Sequence, residues 1–206
     1  MKYTPQENFW KGSFGKDYTI RNDNKKIIKN NIFFFKKIFH NSNFNIKNII
    51  EFGPNIGLNI LAIKKIFNLN FITGVEINSL ACLKLSKIKN VEVVKSSVLK
   101  FIPKKKYDLV LVKGLLIHIN PKQLKNFYEI IYQSCKNNGY ILFAEYYSPR
   151  PVKLNYRGKK DKLFKRDFAG EFISTFKNIK IKSYGFVYHK DKYPQDDLNW
   201  FLMKKK

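Results

Sequence analysis

Two short segments, Tyr107–Lys113 (YDLVLVK) and Tyr140–Tyr146 (YILFAEY), are apolar almost without interruption. A strand with one wet face alternates apolar and polar residues. A strand apolar on both sides must be covered on both faces, as happens inside a parallel sheet flanked by helices. Such a sheet needs helical crossovers between its strands, and the rest of the chain supplies them. The 206 residues suit one domain, residues 1–206, with ample length for a core.

The spacing predicts a helix over Asn24–His40, where Ile27, Ile28, Ile32, Phe35, Ile38 and Phe39 share a stripe. A strand follows at Ile46–Phe52, then a helix at Leu58–Phe67, a strand at Asn70–Ile77, a helix at Ser79–Lys87 and a strand at Val91–Ser96. Asn120-Pro121 opens a helix expected to run to Asn138, with Gly139 as its left-handed terminator. Residues 148–160 read as an irregular acceptor-side loop extending toward residue 166, followed by a helix at Arg166–Phe176. Strands at Ile179–Tyr188 and Leu198–Lys204 end the chain. The expected fold is α/β: a doubly wound, Rossmann-like sheet, mostly parallel.

The net charge of +25 suggests nucleic acid, but its composition argues otherwise. There are 36 Lys against 4 Arg, and Lys, Asn, Ile, Phe and Tyr make up 113 of 206 residues. All five have AT-rich codons, so base composition accounts for the lysines. A dedicated nucleic-acid face favours the planar fork of Arg. Cys82 and Cys135 have no partners at metal-ligand spacing, so neither a zinc site nor a disulfide scaffold is expected. The N-terminus lacks a signal-type apolar core and no run approaches membrane-span length, which predicts a cytoplasmic protein.

Open parallel sheets bind ligands beyond the carboxyl ends of their strands. The first strand ends in Glu51-Phe-Gly53-Pro-Asn55-Ile-Gly57 and passes directly into a helix. Gly53 permits a tight turn, Gly57 a close approach of helix and strand, and Asn55 is the next best residue after glycine at positive φ. Glu76 ends the second strand, 23 residues beyond Gly53, where a carboxylate can accept both hydroxyls of an adenosine ribose. A plain strand-to-helix turn with an incidental acid is the competing reading. The turn is not G-x-G-x-x-G, Glu51 would repel a pyrophosphate, and the terminal strand pair replaces the second domain of a dehydrogenase. A cofactor with a cationic amino-acid end fits instead: S-adenosylmethionine.

The stretches FWKGSFGKDYTIRN, IIEFGPNIGLNI, GVEIN, YDLVLVKGLLIHINP, AEYYSPRPVKLNYRG, LFKRDFAGEF and YGFVYHKD-x-x-PQDDLNWFL resemble the pseudaminic acid biosynthesis-associated methylases. These belong to the class I S-adenosylmethionine-dependent methyltransferases. The resemblance spans Phe9 to Met203. It implies a seven-stranded sheet with an antiparallel last strand, methyl transfer, and a role beside nonulosonic-acid sugar synthesis. Ser96-Ser97 stands where the wider class often has an acid after the third strand, so Ser97 and the Val98 backbone are the candidate adenine contacts.

Methyl transfer from a sulfonium needs in-line placement, and a base only for a protonated nucleophile. His118 follows the fourth strand and has a suitable ordinary pKa; the alternative is a histidine bonded to a backbone carbonyl. Glu145 ends the fifth strand in an apolar run, where an acid is costly unless paired or functional; it is a candidate base. Tyr146 and Tyr147 follow it as substrate contacts. Arg157 and Arg166 are retained in a chain that otherwise uses Lys, which points to bidentate recognition of an anionic acceptor. Residues 1–40 form either a lid, with Trp10, Tyr18 and Arg21 on the cofactor, or a helix docked on the core. The expected enzyme methylates a small anionic acceptor. An RNA methyltransferase and an inactive scaffold are the rivals.

Overall fold

The computed structural model describes residues 2–40 and 44–206; Met1 of the expected N-terminal segment lies outside the described residues. The central sheet has seven strands: β1 (Asn48–Phe52), β2 (Phe71–Glu76), β3 (Val91–Lys95), β4 (Tyr107–Lys113), β5 (Cys135–Glu145), β8 (Ile179–Val187) and β9 (Leu198–Lys205). Their order is β3-β2-β1-β4-β5-β9-β8. The first five are parallel, and β9 runs antiparallel between β5 and β8. The strand order therefore reverses between β1 and β4, which opens a crevice at their carboxyl ends.

The near-continuous apolar strands divide their side chains between two cores. Ile50, Phe52, Val110, Val112, Ile141 and Phe143 face α6 (Leu124–Ser134) and α7 (Phe168–Thr175). Ile49, Leu109, Leu111, Leu142 and Leu202 face α3 (Lys25–Phe39) and α4 (Leu58–Ile63). Phe127 of α6 and Phe172 of α7 are wholly buried, and truncating either to alanine costs about 3–5 kcal/mol. The crossover from β2 to β3 is α5 (Ser79–Leu85), capped by the Asn78 side chain. Among the described residues no helix is long and apolar enough to cross a membrane.

Two expectations need correction. The stretch read as an irregular loop is a hairpin, β6 (Val152–Tyr156) and β7 (Lys159–Lys165), closed by Arg157-Gly158. Both turn residues have positive φ, +47° and +76°, as a two-residue hairpin turn of mirror-image type requires. The helix opened by Asn120-Pro121 begins as a 3₁₀ turn and ends at Ser134, not Asn138. Asn138, at φ +61°, takes the left-handed position, while Gly139 lies within β5 against Cys135 and Lys136.

Two short helices precede α3: α1 (Pro5–Lys11) and α2 (Ser13–Arg21). Thr4 and Glu7 start α1 with a reciprocal capping box. Gly15 lets the two helices meet: a Cβ there would lie 1.8 Å from the Trp10 carbonyl oxygen.

Candidate functional site

The turn between β1 and α4 holds three left-handed residues: Gly53 (φ +70°), Asn55 (+50°) and Gly57 (+84°). A Cβ on Gly53 would press on the Leu115 side chain at 3.0 Å. One on Gly57 would meet Ile88 Cδ1 at 2.5 Å and Leu85 Cδ1 at 2.7 Å, so this glycine serves packing behind the turn. Glu76 locks the turn to β2. Its Oε2 accepts the Asn55 backbone N–H at 2.9 Å, and its Oε1 accepts that of Asn78 at 2.8 Å. Burial raises the Glu76 pKa, and the backbone donors of Asn78, Asn55 and Ile77 pull it back. A carboxylate has about four lone-pair sites, so these backbone donors leave at least one for a ligand hydroxyl.

A cavity of about 540 Å³ opens over this turn at the reversal point. Gly53, Asn55 and Glu76 line it from the sheet, with Ser97 and Val98 following β3. Ser97 Oγ accepts the Leu99 N–H at 3.1 Å, leaving its proton to donate. Trp10 and Tyr18 line it from α1 and α2, and His118 and Tyr146 from the segments after β4 and β5. Nine of the expected residues thus share one cavity.

His118 is 6% exposed, its ring 4.7 Å from that of Trp10 and 4.9 Å from that of Tyr156. Its Nδ1 lies 2.7 Å from the Lys162 carbonyl oxygen. A carbonyl can only accept, so Nδ1 carries the proton and Nε2 the lone pair. Burial pushes the imidazole down to about 4, against the pull of that hydrogen bond. The ring is neutral at pH 7. Beside it, burial raises Tyr18 to about 12, with Tyr156 and Asp196 adding to the effect and Arg21 and Arg157 opposing it. Tyr146 is raised by burial and then by Asp196.

Seven expected residues stand outside the cavity lining. Glu51 is fully buried beneath it, where Oε1 accepts from Asn59 Nδ2 at 2.7 Å and Oε2 has no partner. Burial pushes Glu51 up to about 7; Asn59 and Lys113 hold it down, and Glu76 adds to the rise. Asn59 and Lys113 line the cavity in its place. Gly57 packs behind the turn. Glu145, 4% exposed, accepts the backbone N–H groups of Leu115 and Leu116 at 2.9 Å and of Ile117 at 3.5 Å. It anchors the segment that carries His118, with its lone pairs turned to the backbone rather than to an acceptor. Burial raises it to about 8 against these bonds.

Tyr147 is exposed and bridges to the backbone of Arg166. Arg166 Nε is paired with Glu171 Oε1 at 2.7 Å, an ion pair within the fold. Arg157 is an exposed turn residue, and Arg21 is exposed at the end of α2. The Arg21 guanidinium lies 5.7 Å from the centroid of the Tyr18 ring and that of Arg157 5.9 Å from the centroid of the Tyr156 ring, both rings of the cavity wall.

Several lining residues escaped the sequence reading. Gln195 Nε2 donates to Asn31 Oδ1 at 3.1 Å, Asn31 Nδ2 to Asn59 Oδ1 at 2.9 Å, and Asn59 to Glu51. This chain of amides joins the loop before β9 to the buried acid. In a sequence with 22 asparagines these carried no signal. Tyr156 completes the aromatic end of the cavity.

No family model matches the sequence, and no curated protein matches it. Solved structures do. A SAM-dependent methyltransferase from Leishmania major is 16% identical, with a TM-score of 0.72 over 99% of this chain and 87% of that one. The 1,6-didemethyltoxoflavin-N1-methyltransferase of Burkholderia thailandensis, solved with its substrate and S-adenosylhomocysteine, is 11% identical, with a TM-score of 0.72 over 100% and 92%. The N-methyltransferase NodS of Bradyrhizobium japonicum, in complex with S-adenosylhomocysteine, is 12% identical, with a TM-score of 0.60 over 89% of each chain. At these identities the likeness is one of architecture: the chain has the fold of the class I S-adenosylmethionine-dependent methyltransferases.

Proposed function

We propose that the protein is an S-adenosylmethionine-dependent methyltransferase acting on a small-molecule acceptor. The observation that carries this reading is Glu76, whose carboxylate binds the left-handed Gly53–Gly57 turn to β2 at the floor of a 540 Å³ cavity on the reversal point. That volume accommodates a nucleoside cofactor with a modest acceptor beside it. The donor sets fit the group. Glu76 takes the ribose hydroxyls, Ser97 and Val98 the base, and the Gly53–Asn55 backbone with Asn59 and Lys113 the amino-acid end, whose ammonium complements the buried Glu51 beneath. The cofactor supplies an electrophilic methyl on sulfur. The chain's own residues place the nucleophile.

His118 Nε2 is the group that receives a hydrogen bond from a hydroxyl or amine nucleophile in the aromatic end formed by Trp10, Tyr18 and Tyr156. Its neutral state at pH 7 keeps that lone pair available. Residues 1–40 act as the wall over the site within one domain. The motif resemblance supports the finer reading, a nonulosonic-acid sugar or its nucleotide-linked form. Its anionic end would meet Arg157 at the rim, while Arg166 is committed to Glu171.

The test supplies methyl-labelled S-adenosylmethionine with cell extract separated into small-molecule and RNA fractions. Label in the small molecules, with S-adenosylhomocysteine released, is the expected result. Label in RNA alone would replace the acceptor class, and no turnover with any fraction would favour a scaffold.

A further inference from the structure

Adenine presents one donor group, its exocyclic amine, and ring nitrogens that only accept. Ser97 can donate to a ring nitrogen, yet nothing in the strand ends supplies an anionic acceptor for the amine, because Ser96-Ser97 occupies the turn after β3. A carboxylate oxygen with no partner lines the cavity on the N-terminal segment. Glu7 lines the cavity, is 9% exposed, and uses only one of its oxygens within the protein. Oε2 accepts the Thr4 N–H at 2.6 Å, closing the capping box, whereas Oε1 is buried with no partner.

The position of Glu7 is fixed from three sides. Lys100, just past Ser97 and Val98, sets its ammonium 4.0 Å above the Tyr3 ring at the start of α1. Asn78, just past Glu76, donates to the Trp10 carbonyl at 3.0 Å near the end of α1. Asn120, beyond β4, donates to Gln6 Oε1 at 3.1 Å. So α1 crosses the gap between the ends of β2 and β3, where a base follows a ribose held on Glu76, and Glu7 sits midway along it. A buried carboxylate oxygen without a donor is expensive unless a ligand satisfies it.

On the reading of the cavity as the cofactor site, we propose that Glu7 Oε1 accepts the adenine exocyclic amine. The N-terminal segment then selects the base as well as covering it. Substitution of the amine by a carbonyl, as in S-inosylhomocysteine, sets two acceptors against each other.

Calorimetry with S-adenosylhomocysteine and S-inosylhomocysteine tests this. Wild type should prefer the adenosyl ligand by on the order of tenfold to a hundredfold. Glu7→Gln, which can turn an amide donor to the base, should reduce the preference to about twofold or invert it. Thr4→Ala, which breaks the capping box but leaves Oε1 in place, should keep it. Equal weakening of both ligands by Glu7→Gln, or an unchanged preference, would overturn the assignment and reduce Glu7 to a capping residue. If wild type bound neither ligand, the cofactor reading itself would fall, and this inference with it.

Discussion

Asn55 donates its backbone N–H to Glu76 Oε2 at 2.9 Å, so a residue held at φ +50° is fastened to the end of the neighbouring strand. One carboxylate both shapes the turn and faces the cavity. Glu76→Ala should weaken S-adenosylhomocysteine by about ten- to a hundredfold, since charge-assisted bonds of roughly 1.5–3 kcal/mol are lost. Glu76→Gln should fall between, because its amide can accept from only one side. Calorimetry with a thermal melt separates binding from folding. Normal binding by both variants would place the ribose elsewhere.

Glu145, a candidate base by its place in the sequence, accepts three backbone N–H groups, which supports an anchoring role. Glu145→Ala strands buried N–H groups at roughly 1–3 kcal/mol apiece, so the melting temperature should drop by on the order of 10 °C or more. Glu145→Gln should also destabilise, since its NH₂ meets a backbone donor. A variant that melts like wild type but has lost turnover would restore the catalytic reading.

The His118 imidazole has a folded pKa of about 4 against an ordinary 6.5. Between those values the unfolded chain binds a proton that the folded chain refuses. Stability from this group is therefore full above pH 6.5 and is lost as pH falls toward 4, by on the order of 3 kcal/mol. Glu51 and Glu145, with raised pKa values, contribute the opposite slope in wild type and variant alike. Melts of wild type and His118→Gln across pH 4.5–7.5 should converge on acidification. Parallel curves would mean that His118 titrates normally.

Arg157 and Arg166 should now separate. Arg157→Lys keeps the charge and removes the fork, and should raise the acceptor KM severalfold while sparing cofactor affinity. Arg166→Lys breaks geometry only with Glu171, so it should lower the melting temperature slightly and leave KM unchanged. The reverse pattern would return Arg166 to the acceptor.

The sheet was legible because β4 and β5 are apolar on both faces and the helices between strands keep a clear stripe. The Gly53–Gly57 turn and Glu76 were legible because backbone conformation and strand ends restrict residue choice. The β6–β7 hairpin was not: Arg157-Gly158 lacks the usual Asn-Gly or Asp-Gly signal, and lysines replace half of its alternating pattern. The surroundings of Glu51 and Glu145 were hidden in the sequence for a shared reason. An acid at the end of an apolar strand satisfies local backbone or amide donors as readily as it faces a ligand, and only packing decides. The placement of α1 and of the Asn31 and Asn59 amides depends on the pairs Gln6–Asn120, Asn31–Asn59 and Asn59–Glu51, which lie 114, 28 and 8 residues apart in sequence and are invisible to spacing.

S-adenosylmethionine is proposed to bind in the cavity over the Gly53–Gly57 turn. Calorimetric titration with S-adenosylhomocysteine, run on wild type and on Gly53→Val, tests it most directly. A valine there is strained at φ +70° and its Cβ presses on Leu115 at 3.0 Å. Wild type should bind at one saturable site, and Gly53→Val, confirmed folded by circular dichroism, should show no measurable heat. Absence of binding by wild type, or equal affinity in a folded Gly53→Val protein, would contradict the account.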